Sequence, residues 1–384
     1  MNWSKLLLQF IVTCLCLGIE SIEGRQLAKA IVLIGPHKTG STSLQSNLVR
    51  NANVLKNNGY ALIGSGHAKQ ASLFATSIMS GSKSKPYYDM VAAIERSRQK
   101  ASNIILASET MDKFCAANIA ALKEILSGFN VTIVAFHRER TAHLRSYWSQ
   151  LSRTLRSKPS PMQRPYVTKF DDFLPRFLAT SFSGECGPGV LPGPRGFDLY
   201  NLLQLYSATF GEKAIRLVSF GGALRSSSAF EVFVSQILEL PFEMFTEGLQ
   251  NQNRSPSSFT LNVVHRLEKV GNMAGCTINH AELGNIMAGN VPYNALLDKL
   301  PRQCANLTGL KHLFDLDDDK VFNTFGLPLL YSKREEIVES VCDLDCSPRE
   351  RPLGEKSLHK LFSSFATNCT VSLAPPELFV AAGV

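Results

Sequence analysis

The sequence predicts an α/β fold, a parallel sheet flanked by helices on both faces, and three observations carry that reading. Five short apolar runs rich in Val, Ile and Leu recur along the first 220 residues. Stretches with helical spacing of apolar residues lie between them, as expected when buried parallel strands alternate with crossover helices. Near residue 35 an apolar run passes into a glycine-containing turn and then into a helical pattern. The 384 residues are 45% hydrophobic and 19% charged, enough to bury a large core. Ordinary usage of Gly (26) and Pro (18), with no internal repeat, excludes collagenous, low-complexity and solenoid architectures.

In chain order, residues 1–24 carry Lys5 and then the apolar stretch Leu6 to Leu17 before Glu20 and Glu23. That stretch suits a signal peptide and is shorter than the roughly 20 residues that span a bilayer. Cleavage is expected between Gly18 and Gly24, the alternative being an uncleaved signal anchor. Its removal raises the net charge from +8 to +9. Strands are predicted at Ala30–Ile34, Tyr60–Ile63, Asn103–Ala107, Val131–Phe136 and Ala214–Phe220. Helical spacing links Leu44, Leu48 and Leu55, then Ile119, Leu122 and Leu126, then Leu144, Tyr147, Trp148, Leu151 and Leu155. Residues 157–196, with seven prolines and five glycines, read as an irregular excursion with one short helix near Phe170–Leu178. The organisation expected is a leader over 1–24, the main domain over 25–300, and a Cys-rich extension of it over 301–384.

Seven cysteines follow the leader: Cys115, Cys186, Cys276, Cys304, Cys342, Cys346 and Cys369. Four crowd into the last 81 residues, which predicts a disulfide-stapled C-terminal part in an oxidising lumen. The odd count leaves one thiol free or pairing between chains, and Cys342-x3-Cys346 lacks the partners of a zinc site. Sequons at Asn130, Asn253, Asn306 and Asn368 agree with a secretory route, in the Golgi lumen or outside the cell.

The chemistry concentrates in Ile31-Val32-Leu33-Ile34-Gly35-Pro36-His37-Lys38-Thr39-Gly40-Ser41-Thr42-Ser43-Leu44-Gln45. A strand that ends in such a turn and runs straight into a helix aims free backbone N–H groups and the positive end of the helix dipole at one point. Hydroxyl donors beside it complete an anion site. The fold is therefore P-loop-like, but a nucleotide-triphosphate loop has its Lys directly after the second glycine. Here Ser41 follows Gly40 and the lysine, Lys38, precedes it, which argues against a kinase.

A Lys before the glycine and hydroxyls after it resemble the 5′-phosphosulfate loop of sulfotransferases that use 3′-phosphoadenosine 5′-phosphosulfate (PAPS), roughly Pro-Lys-[ST]-Gly-[ST]-[ST]. That family also holds the cofactor's 3′-phosphate with an Arg at the end of a later strand and a Ser eight residues on. Arg138 and Ser146 have this separation behind the predicted strand Val131–Phe136. Pro often stands two residues after the family's Arg. This chain has Arg140 there, itself an alternative phosphate ligand. Asn57-Asn58-Gly59-Tyr60 leading to His67, Ser108-Glu109, Tyr200 with a helix ending at Phe210-Gly211, and Asn253-Arg254-Ser255 resemble carbohydrate-type and bacterial-like members. The resemblance covers about residues 28–270.

It implies in-line transfer of a sulfonate to a hydroxyl or amine of a carbohydrate in the secretory pathway, without a metal. Lys38 is implied as the cation at the leaving oxygen, with Thr39, Gly40, Ser41, Thr42 and Ser43 holding the 5′-phosphate. Glu109 is the first choice of base and His67 the second, since the acceptor must lose a proton. Ser108 either bonds the cofactor or finishes its strand. Eight basic residues against one acidic between Arg138 and Lys169 favour a polyanionic glycan acceptor. Nucleic acid is not expected, since Tyr147 and Trp148 fall on an apolar stripe. Membrane contact is expected only through an uncleaved N-terminal anchor. The alternatives are a non-catalytic lumenal glycan-binding protein that keeps the fold, and a sulfotransferase acting on protein tyrosine.

Overall fold

The structure is a computed structural model that describes residues 27–35, 41–64, 68–138, 198–219, 229–245, 258–279, 302–306, 308–326 and 340–344. It also describes parts of 140–148, 282–286 and 357–370. The expected leader, the expected excursion over 157–196 with the short helix predicted near Phe170–Leu178, and Asn253-Arg254-Ser255 lie outside the described residues.

All five predicted strands form, with ends shifted by a residue or so. They are β1 (Lys29–Leu33), β2 (Tyr60–Leu62), β3 (Asn103–Ala107), β4 (Asn130–His137) and β5 (Ile215–Ser219). They make one sheet in the order β2-β3-β1-β4-β5, and every pairing is parallel. The register sets Leu33 opposite Ala107 on one side and Val134 on the other. The fold class read from the sequence is the one observed.

Successive residues of each central strand enter different cores, which is why these strands read as continuous apolar runs rather than alternating ones. On one face Ala30, Val32, Ile104, Leu106, Ile133 and Ala135 pack against α3 (Ala68–Ser80), α4 (Lys85–Gln99), α5 (Ala116–Ile125) and α6 (Leu199–Phe210). On the other face Ile31, Leu33, Ile105, Val134 and Phe136 meet Leu44 and Leu48 of α1 (Ser41–Arg50) and Leu55 of α2 (Ala52–Asn57). The same face is closed by α7 (Ala229–Val232), which widens into a π turn over Phe233–Ile237. Helix α6 ends at Gly211, whose φ of +89° favours a residue without Cβ at a C-cap. Leu144 and Trp148 are buried as the apolar stripe requires, while Leu151 and Leu155 lie outside the described residues.

The C-terminal third contributes α8 (Ser258–Met273), β6 (Thr277–Ile278), β7 (Arg302–Asn306), α9 (Thr308–Phe325), β8 (Ser340–Leu344) and β9 (Ala366–Thr367). Helix α9 packs on α6 and β5, and its Val321 is fully buried in the main core. Strands β7 and β8 pair antiparallel with Cys304 directly opposite Cys342, and β6 pairs with β9. A disulfide joins Cys276 to Cys369 across 93 residues. The staple expected for the tail is thus present. Of the four crowded cysteines, Cys369 pairs outside the group, tying the chain after β9 back to the end of α8. Cys115 is a free thiol beside Asn118 at the start of α5. Closing so long a loop restricts the unfolded chain, so replacing Cys276 and Cys369 by Ser is expected to cost about 2–5 kcal/mol, read by denaturant titration. Among the described residues no helix is long and apolar enough to cross a membrane.

Candidate functional site

In an open parallel sheet, ligands sit outside the carboxyl ends of the strands where neighbouring connections depart in opposite directions. Here the chain leaves β1 toward β3 and β2, and leaves β4 toward β5, so the switch lies between β1 and β4. In the sequence, one motif follows β1 and the other follows β4. The ladder continues past β1: the Ile34 amide donates to the Val134 carbonyl at 3.1 Å, and the Phe136 amide donates to the Gly35 carbonyl at 3.0 Å. Gly35 has φ +93°, a conformation open to glycine, and there the chain turns off the sheet. Residues 36–40 follow in the sequence and lie outside the described residues, and Arg138 stands two residues beyond Phe136.

Helix α1 starts at Ser41, and the N–H groups of its first turn have no partner within the helix. Ser41, Thr42 and Ser43 are its first three residues. Lys38, Thr39 and Gly40 lie outside the described residues, as does His67, which follows the end of β2. Arg138 is half-buried and Ser146 is buried in the helical stretch behind it.

The third strand end is that of β3. The Ser108 amide donates to the Leu33 carbonyl at 3.1 Å, and its Oγ accepts from the Thr110 amide at 3.3 Å. Ser108, 1% exposed, therefore finishes the strand and caps the 3₁₀ turn Glu109–Lys113. Glu109 opens that turn and is partly exposed, next to the corner from which the loop departs. The Tyr206 hydroxyl of α6 donates to the Met111 carbonyl of this turn at 2.9 Å, and Gln45 of α1 reaches the Ala107 carbonyl at the end of β3 at 3.5 Å. Burial, with Asp112 nearby, pushes the Tyr206 phenol well above its ordinary range, so it stays a donor.

Arg140 differs from its reading as a phosphate ligand or part of an outward basic strip. Its side chain is 2% exposed and turned into the protein. Its Nε donates to Asp318 Oδ1 at 2.9 Å and a terminal nitrogen donates to Asp317 Oδ2 at 2.7 Å. His137 Nε2 lies 2.9 Å from Asp318 Oδ2, and the His137 ring meets Phe322 edge-on at 5.0 Å. A buried guanidinium is costly unless paired, and here two carboxylates of α9 pair it. These carboxylates were not singled out in the sequence. The available signal was the acidic run Asp317-Asp318-Asp319, but such a run ordinarily marks a solvated helix face.

One guanidinium cannot hold two half-buried carboxylates equally. Burial raises Asp317, with Asp198 and Asp318 adding to the shift, and Arg140 offsets only part of it. For Asp318 burial also pushes upward, but Arg140 and the hydrogen bond with His137 outweigh it and hold its carboxyl below the usual range. A depressed carboxylate stabilises the fold above its unfolded pKa of about 3.9 and loses that contribution as pH falls through its folded value. The melting temperature of Asp318→Asn is therefore expected to lie below that of the parent at neutral pH. The gap should narrow on acidification below about pH 4.

Among the described residues no cluster of three His, Cys, Asp or Glu side chains could hold a metal ion. The fold defines a doubly wound α/β protein whose sheet has its switch between β1 and β4. No protein-family model matches the chain, and no curated protein matches it. Among solved structures it is similar to a sulfotransferase from Alicyclobacillus acidocaldarius, with 13% identity and a TM-score of 0.34. The match covers 72% of this chain and 96% of that one.

Proposed function

We propose that the protein is a PAPS-dependent sulfotransferase that modifies a hydroxyl or amine of a carbohydrate in the secretory pathway. The observation that carries this reading is that the strands leading in sequence into the two motifs, β1 and β4, are hydrogen-bonded neighbours. Lys38 follows β1 in the sequence and Arg138 follows β4, and the two strands are hydrogen-bonded up to Gly35 and Phe136. The residues present fit an anion with two phosphate groups, because a helix N-terminus and an arginine flank one corner from different strands.

PAPS supplies an activated sulfonate when bound. The first-turn N–H groups of α1 and the hydroxyls of Thr39, Ser41, Thr42 and Ser43 hold the 5′-phosphate end. Lys38 offsets the charge that grows on the leaving oxygen. Arg138 and Ser146 take the 3′-phosphate, the guanidinium offering a fork of donors. Glu109, at the end of β3, accepts the acceptor's proton, with His67 as the second choice. The glycan acceptor, polyanionic on the strength of the basic residues after Arg138, and the Golgi or secreted location rest on the sequence.

Calorimetric titration of the protein with 3′-phosphoadenosine 5′-phosphate (PAP) tests the site, beside Arg138→Ala and an ATP control. Binding to the parent is expected, with a loss of about 1.5–3 kcal/mol in the variant, the worth of a hydrogen bond to a charged group. A folded parent that does not bind PAP would sink the assignment.

A further inference from the structure

We infer that Asp318 is a positioning residue for the ligand corner, clamping from α9 the turn that presents Arg138. This rests on the PAPS reading of that corner. Arg138 stands between His137 and Arg140, both 2% exposed. Each reaches the same carboxylate at 2.9 Å: His137 Nε2 to Oδ2, and Arg140 Nε to Oδ1. The two contacts bridge 181 and 178 residues of sequence. The backbone that carries Arg138 is thus anchored on both sides to one group, and Asp317 grips Arg140 a second time at 2.7 Å.

The anchor is itself held. Helix α9 packs on α6 and β5, and Phe322 meets the His137 ring edge-on. A strand end that merely entered solvent would let a long arginine sample many rotamers, and the cost of ordering it would fall on ligand binding. With both flanks fixed, Arg138 has a set origin and direction, and the C-terminal part of the chain takes part in the ligand site through α9.

Asp318→Asn keeps the shape and removes the charge. In the full-length protein it is expected to weaken PAP binding about ten-fold or more, since small displacements of a positioned group are costly. The donor KM should rise with it, while the acceptor KM changes little. Asp318→Glu should restore part of the affinity. Val321→Ala separates positioning from stability. It removes core packing on the same helix, so it should lower the melting temperature while leaving PAP affinity near that of the parent. If Asp318→Asn does not fold, Asp317→Asn tests the same clamp through its other carboxylate and should weaken PAP binding to a smaller degree. PAP affinity unchanged in the folded carboxylate variants, with the parent binding PAP, overturns the inference and leaves the sulfotransferase reading standing. Equal weakening by Val321→Ala also overturns it, since stability alone would then explain the loss. A parent that does not bind PAP overturns both.

Discussion

Replacing Lys38 by alanine is expected to lower kcat about 10²–10³-fold, with donor KM changed far less. The charge on the leaving oxygen is small in the bound donor and large in the transition state, so a cation aimed there acts on kcat rather than on affinity. Lys38→Arg keeps the charge but replaces a compact ammonium with a planar fork, and should recover only part of the rate. Steady-state assays with radiolabelled sulfate donor and a panel of glycan acceptors would measure this. A Lys38→Ala enzyme within a few-fold of the parent would remove lysine from the mechanism.

Glu109→Gln is expected to have the next largest effect, a loss of about 10²–10⁴-fold in kcat, typical of removing a general base. A base works deprotonated, so the parent's kcat/KM should rise with pH through the base's pKa, and that limb should vanish in the variant. His67→Asn should leave the limb in place. The reverse pattern would transfer the role to His67. The structural argument for Glu109 is its place. It follows β3 directly, in a turn pinned by Ser108 and Tyr206, beside the corner where β1 ends.

Tight folding of the Arg138 turn also bears on the basic character of the neighbouring segment. Arg140 is neutralised from within by α9 and adds nothing to an outward field, so in the proposed reading the attraction of a polyanionic acceptor would fall to the other basic residues between Arg138 and Lys169.

The sequence by itself determined the five strands and the α/β class. Strands buried on both faces need an apolar residue at nearly every position, so Ala30–Ile34 and Asn103–Ala107 could be read without a partner in view. The passage from strand to helix was equally local: Gly35 has a positive φ just past β1, and a helix runs from Ser41. Tertiary structure alone decided what depends on distant segments. Strand order, and with it the position of the switch between β1 and β4, follows from crossovers that no local pattern encodes. The two-residue strands β6 and β9 are too short to show a period, and they form because α8 and the Cys276–Cys369 bond bring them together. The role of Arg140 was hidden for the same reason. A lone arginine after a strand looks solvent-facing until a carboxylate pair nearly 180 residues away, on a helix held by the core, supplies the charge that lets it be buried.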